Sequence, residues 1–325
     1  MNKKLIAVAI AIIIIVAAVA VVWHYTSAND DDTEWAFIIE DDLGRKVPFE
    51  KTPERVMSLG SSFTESMIYL DCLENIACVD KGSVTRLQSM YPEVADIDRV
   101  ESGKPNTNTI DYCVTHGIDL VIVWGYYPDQ IAQLESAGIT AIGLYPKTIE
   151  DVQHVIALLG TIMSKEEKAE SILYAMDTKI SYITLKAKEK AGEQYGSYSR
   201  VYIELDTLSS GNYNSPNSNS ITGTMLDILG VDYIGKNADK TQYYQTESII
   251  EYAPDYLIFM GPRNQSESDI LRNGMLDPES KGWGNPDTVL SIYTSESEPG
   301  FNGNWASATP SLVDGLEYLY DLIYK

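Results

Sequence analysis

Several polar, cationic and aromatic side chains sit where short apolar runs end, the positions from which an α/β protein touches a ligand. The run Asp119-Leu-Val-Ile-Val-Trp124 is followed at once by Gly125-Tyr126-Tyr127. The run Arg55-Val-Met-Ser-Leu-Gly60 leads into Ser61-Ser62-Phe63. Lys81, Arg86, Lys104 and Arg263 also fall in loops at strand ends, and Asn302 and Trp305 belong to a late polar and aromatic loop. Cations in such loops either carry solvated surface charge or capture an anionic group, a carboxylate or a phosphate, through charge-assisted hydrogen bonds. The candidate ligand contacts are therefore Ser61, Ser62, Phe63, Lys81, Arg86, Tyr126, Tyr127, Arg263, Asn302 and Trp305.

Catalytic patterns are missing. The chain has no G-x-G-x-x-G after its first strand, no G-x-x-x-x-G-K-[ST] loop and no G-x-S-x-G elbow. Its three histidines, His24, His116 and His154, are scattered and form no H-E-x-x-H. No catalytic residue, resident metal ligand or cofactor is expected. Carboxylate pairs are so common in this acidic chain that none singles out glycosidase chemistry. The three cysteines, Cys72, Cys78 and Cys113, match no zinc spacing and read as buried thiols. A Cys72–Cys78 bridge stays open in an oxidising compartment.

A formal net charge of −23 over 325 residues would repel phosphate backbones and anionic membrane surfaces, so nucleic acid is not an expected partner. The 44% hydrophobic content is enough for real cores.

Leu5 to Trp23 is uninterrupted apolar sequence, preceded by Lys3 and Lys4 and followed by Asp30-Asp31-Asp32. Such a run can span a hydrocarbon core of about 30 Å, and the lysines place the bulk of the chain outside the cytoplasm. An uncleaved anchor in the cell membrane is expected. The alternative is secretion after cleavage near Thr26-Ser27-Ala28. No Cys follows the run, so a bacterial-type lipid anchor is not expected.

Beyond that segment, strands alternate with helices at the spacing of parallel sheets covered on both faces. A strand pair turns at Asp42-Leu-Gly-Arg45, and further strands are predicted at 55–60, 75–80, 119–124 and 139–144. Residues 81–86 read as a polar loop. After a long helix the grammar returns, with strands at 200–205, 255–260 and 288–293 and a closing helix at 312–324. The long helix is predicted over Ser164–Ala191. Ser164 and Glu167 read as its capping box, and Ala169, Ile172, Leu173, Met176, Ile180, Ile183 and Ala187 form one apolar stripe. Lys186, Lys188 and Lys190 suit its C-terminus, and Gly192 would stop it. At 1.5 Å per residue it would be roughly 40 Å long. The expected fold is α/β: two Rossmann-like lobes with mostly parallel central sheets, joined by one long rigid α-helix. The expected divisions are an anchor and acidic tether at 1–34, a first lobe at 35–147, a helical linker at 148–192 and a second lobe at 193–325.

Several motifs then resemble one family. Asp42-Leu-Gly-Arg45 with Pro53-Glu-Arg-Val-Met-Ser-Leu59, Ser61-Ser-Phe-Thr-Glu65, Pro105-Asn106 with Ile110, Pro146-Lys-Thr-Ile-Glu-Asp151 and Ala308-Thr-Pro-Ser-Leu-Val-Asp-Gly-Leu316 are similar, in order and spacing, to segments of the extracytoplasmic binding proteins of iron-chelate and cobalamin ABC importers. The resemblance runs from about Trp35 to the C-terminus. It implies capture of a ferric siderophore, haem or cobalamin-type chelate between the lobes, small lobe motion, and delivery to an ABC permease with its ATPase. It also implies docking on the permease through one exposed Glu per lobe. Glu65 matches the first by its place in the motif. The second place is taken by Thr224, with Asp227 nearby, a departure from the pattern. The alternatives are an extracellular carboxylate-dependent hydrolase and a surface sensor or adhesion module on the same fold.

Overall fold

The computed structural model describes residues 36–204, 206–207, 213–238, 240, 242–261, 288–293 and 308–324. The apolar segment at 5–23 and the candidates Arg263, Asn302 and Trp305 lie outside the described residues. Among the described residues no helix is long and apolar enough to cross a membrane.

The chain opens with an antiparallel pair, β1 (Phe37–Glu40) and β2 (Lys46–Phe49). The buried carboxylate of Asp41 closes the turn by accepting from the backbone N–H groups of Leu43 and Arg45. It also accepts from Gly143 N–H, which ties the hairpin to the first sheet.

That sheet contains β3 (Val56–Leu59), β4 (Ile76–Asp80), β5 (Asp98–Val100), β6 (Leu120–Trp124) and β7 (Ala141–Leu144), all parallel, in the order β5-β4-β3-β6-β7. Parallel strands need helical crossovers that cover both faces, and this is why β3 and β7 are buried along their whole length. The crossovers are α1 (Ser61–Tyr69), α2 (Lys81–Leu87), α3 (Thr107–His116) and α4 (Pro128–Ser136). Residues 81–86, predicted as a loop, belong to helix Lys81–Leu87 because the Asp80 side chain caps Ser83 N–H. The short edge strand β5 was not predicted.

Helix α5 (Ile149–Ile162), started by a Thr148/Asp151 capping box, leads into the long helix α6 (Glu166–Ala191). Ser164 does not cap α6. It adopts φ 53° as α5 ends, Lys165 N–H returns to the Gly160 carbonyl, and the Ser164 hydroxyl bonds to Thr52. The other end is as expected, with Gly192 at the C-cap and Lys188 and Lys190 in the last turn. The two helices cross closely, since a Cβ on Gly160 would lie 2.5 Å from that of Ala169. The predicted stripe carries the packing: Ala169, Met176, Ile183 and Ala187 are buried, with Ile172, Leu173 and Ile180 packed against the same core.

A second parallel sheet follows, made of β8 (Arg200–Glu204), β11 (Asp232–Tyr233), β13 (Tyr256–Gly261) and β14 (Thr288–Tyr293), in the order β11-β8-β13-β14. Its helices are α7 (Ile221–Leu229), α8 (Thr246–Tyr252) and the closing α9 (Leu312–Ile323). A small antiparallel sheet, β9 (Asp206–Thr207), β10 (Tyr213–Ser215) and β12 (Gln242–Tyr244), is drawn from the segments between β8 and α8. Helix α6 packs on α5, α7 and α9, so the two α/β lobes are joined through one long helix.

The thiols of Cys72, Cys78 and Cys113 are buried and free, so the Cys72–Cys78 bridge is not formed. Burial pushes Cys78 up to about 12 and Cys113 to about 11.

Ile183→Ala, at a site 1% exposed, should lower the unfolding free energy by about 2–5 kcal/mol. Tyr182→Ala, at a site 55% exposed on the same helix, should stay within about 0.5 kcal/mol. Urea denaturation followed by circular dichroism measures both.

Candidate functional site

The chain adds β4 and β5 on one side of β3 and then crosses to place β6 and β7 on the other. The order reverses between β3 and β6, and a crevice opens beyond the C-terminal ends of strands that part in this way. A cavity of about 510 Å³ lies there, within the usual range for small-molecule sites.

Its walls come from the strand ends. Leu59, Gly60, Ser61 and Ser62 follow β3, Asp80 ends β4, and Trp124, Tyr126 and Tyr127 follow β6. Ser102, Gly103 and Lys104 come from the loop after β5, Arg86 from α2, and Pro146 from the loop after β7. Ile221 at the start of α7 and Ala308 ahead of α9 bring the later half of the chain to the same cavity.

Gly60 makes the wall possible. A Cβ there would stand 2.6 Å from Trp124 Nε1, and the backbone adopts φ 154°. The Trp124 ring sits in that space with Phe63 behind it, ring centroids 4.7 Å apart. On its other side Trp124 stacks on Tyr126 at 5.5 Å. Tyr126 in turn meets Tyr127 at 4.5 Å and Tyr145 at 5.7 Å, both edge-on. Phe63 is completely buried, so it supports the wall and is not available as a ligand contact. Tyr126 is 49% exposed. Burial and the neighbouring Tyr127 push its phenol up to about 12, so it stands as a neutral donor at physiological pH.

The cations divide. Arg86 and Lys104 line the cavity, and neither makes an ion pair among the described residues. Lys104 Nζ lies 5.6 Å from the centre of the Tyr127 ring. Lys81 instead pairs with Glu101 at 3.0 Å on the surface and does not line the cavity. Asp80, which the sequence reading did not single out, is the lone carboxylate among the described lining residues. Both of its oxygens are engaged by Ser83, from N–H at 3.0 Å and from the hydroxyl at 2.5 Å. Its capping position, ahead of a Gly-Ser pair, was the signal available. Among the described residues no group of three or more His, Cys, Asp or Glu could hold a metal ion.

The expected docking residues do not stand out from the surface as a pair. Glu65, on the inward face of α1, is fully buried, so the exposed carboxylate expected there is corrected. The α1 face that carries it packs inward, and Tyr91 Oη donates to its Oε1 at 3.2 Å. The Thr224 hydroxyl donates to the Ser220 carbonyl. Asp227 is half-buried, accepts from Tyr233 Oη at 3.2 Å and lies 3.8 Å from Lys236 Nζ.

A family match decides what this cavity belongs to: residues 56–277 fit the periplasmic binding protein family. The chain is a periplasmic binding protein. Membership implies a place outside the cytoplasm. No curated protein sequence matches this periplasmic binding protein. Among solved structures it is similar to a possible iron-binding (periplasmic solute-binding) protein from Staphylococcus epidermidis, with TM-score 0.66, 18% identity, and 85% of this chain and 100% of that one covered. It is also similar to a periplasmic vitamin B12-binding protein of Vibrio cholerae, with TM-score 0.62, 16% identity and 84% and 97% covered. A periplasmic heme-binding protein from Pseudomonas aeruginosa gives TM-score 0.66, 16% identity and 84% and 93% covered. At such identities these likenesses establish the shared fold.

Gly60→Ala should displace Trp124, lower stability by about 1–3 kcal/mol and shift the tryptophan emission maximum, read by fluorescence during urea denaturation. Subtracting the alkaline absorbance titration of Tyr126→Phe from that of the wild type should leave a phenol that ionises near 12.

Proposed function

We propose that this periplasmic binding protein captures a metal chelate, a ferric siderophore, haem or a cobalamin-type corrinoid, and delivers it to an ABC permease and its ATPase. The observation that carries the reading is the pair of cations, Arg86 and Lys104, without ion-pair partners among the described residues, on the rim of one cavity in a chain of net charge −23. Cations in a field of carboxylates would ordinarily find partners at the surface; here they face a cavity walled by Trp124, Tyr126 and Tyr127. That combination suits a ligand with negative charge at its edge and a flat or bulky body.

Ser61 and Ser62 supply hydroxyls at the start of α1, and Arg263, Asn302 and Trp305 belong to the proposed contact set from the later half of the chain. Residues 5–23 would tether the domain to the cell membrane, with lobes at 35–147 and 193–325 and the helical linker 148–192 between them. With Glu65 inside the protein, docking on the permease would use other surface groups, Asp227 beside Thr224 among them. A carboxylate-dependent hydrolase needs two free carboxyl groups across the cavity. Among the described lining residues Asp80 stands alone and is occupied by Ser83.

Because Trp124 forms part of the wall, its fluorescence should report binding. Titration with a panel of ferric siderophores, haem and cobalamin should give saturable quenching by at least one, without turnover. Arg86→Ala and Lys104→Ala should each weaken that response by roughly 10- to 100-fold, the worth of a charge-assisted hydrogen bond. Silence across the whole panel would sink the ligand reading.

A further inference from the structure

Beneath the cavity wall the protein holds a carboxyl group that ligand capture does not use. Glu65 lies on α1 one turn below Ser61 and Ser62, and its relative exposure is 0%. Its Oε1 accepts from Tyr91 Oη, while Oε2 is sealed from solvent and makes no hydrogen bond of ordinary geometry among the described residues, with the Thr309 and Ser311 hydroxyls beside the carboxyl. A carboxylate charge on such an oxygen would be strongly disfavoured, whereas a neutral acid is tolerated.

The surroundings reinforce this. Tyr69 faces it from its own helix and Tyr91 from the turn at Pro92–Asp96. From the closing segment come Thr309 and Ser311, bonded to each other at 2.8 Å, and the carboxylate of Asp314. Lys179 of α6 is the near cation, and it is held by Asp314 at 2.6 Å and Glu317 at 2.8 Å. Burial raises the Glu65 carboxyl above its ordinary value; Ser311, Thr309 and Tyr91 offset only part of that, and Asp314 adds to it.

The closing segment matters because it reaches across the molecule. Its far end is fastened to the second lobe, where Tyr256 Oη donates to the Ile323 carbonyl and Tyr324 Oη to that of Leu229. Its near end meets Glu65, immediately after Ala308 lines the cavity. Helix α9 is thus a second strut beside α6.

We propose that Glu65 is carried as a neutral acid and acts as a positioning residue, fastening the near end of α9 to α1 so that Ser61, Ser62 and Ala308 keep their places in one cavity wall. The role is independent of which ligand fills the cavity. Ionising Glu65 sets a bare charge against Asp314 and loosens the strut.

The sign of the pH dependence follows. A carboxyl whose folded value is raised contributes stability that is whole below its unfolded value, near 4.5, and lost as pH rises through the folded one. In detergent, the full-length wild type should therefore lose melting temperature relative to Glu65→Gln as pH rises above 4.5. The change should be about 2 °C per pH unit within that window. Hydrogen exchange in residues 308–314 should quicken over the same range in the wild type and not in the variant. A difference that does not change with pH would mean that Glu65 only fills space, and one of opposite sign would mean that it is charged; either overturns the proposal. Should Glu65→Gln fail to fold, the wild type alone remains informative. Its infrared spectrum should keep a protonated-carboxyl stretch to higher pH than the exposed carboxyls do, and loss of that band together with theirs overturns the proposal as well.

Discussion

Two parallel strands cannot be joined by a tight turn, because the chain must first travel back along the sheet to start the next strand in the same direction. Every strand of the first sheet therefore ends on one rim and every returning helix begins there. Gly60, Asp80 and Trp124 are far apart in the chain and share that rim for this reason alone. The reversal of strand order between β3 and β6 then leaves the two central ends without a crossing connection above them. The cavity is a consequence of topology before any side chain is considered, and the side chains settle what it accepts.

The same economy governs the join between lobes. Helix α6 has one buried stripe, and that stripe serves α5, α7 and α9 together, so the lobes share a core instead of meeting through a flexible strand. The close crossing at Gly160 and Ala169 fixes how α5 enters this arrangement. Helix α9 closes the frame. The cavity wall is accordingly set by elements from both ends of the chain, with Ser61 at one end and Ala308 at the other.

Much of this was legible in the sequence because buried parallel strands are continuous apolar runs and the helices between them keep a period of 3.6. The Ala169–Ala187 stripe and the 119–124 strand were read from those patterns. The misses share a cause, since each depends on partners distant in sequence or on competing local bonds. Residues 81–86 look polar enough for a loop until Asp80 is seen to cap them. Ser164 has the chemistry of a cap and is diverted to Thr52 by the way α5 ends. Phe63 and Glu65 sit in a motif that reads as surface, yet α1 turns both inward, toward Trp124 and the closing segment respectively. Tyr126, directly after a buried strand, had no such alternative and lies where its position suggested.

The three unpaired thiols give this extracytoplasmic protein an unusual relation to its surroundings. Once folded, Cys72, Cys78 and Cys113 are out of reach of oxidants, and burial holds their protons in place. Before folding they are ordinary exposed cysteines in a compartment that favours disulfides. Cys78 sits on β4 and Cys113 on the helix before β6, so both are shielded only when the first sheet has assembled. Folding and oxidation are therefore competitors during maturation, and the speed of forming that sheet is the chain's own antioxidant.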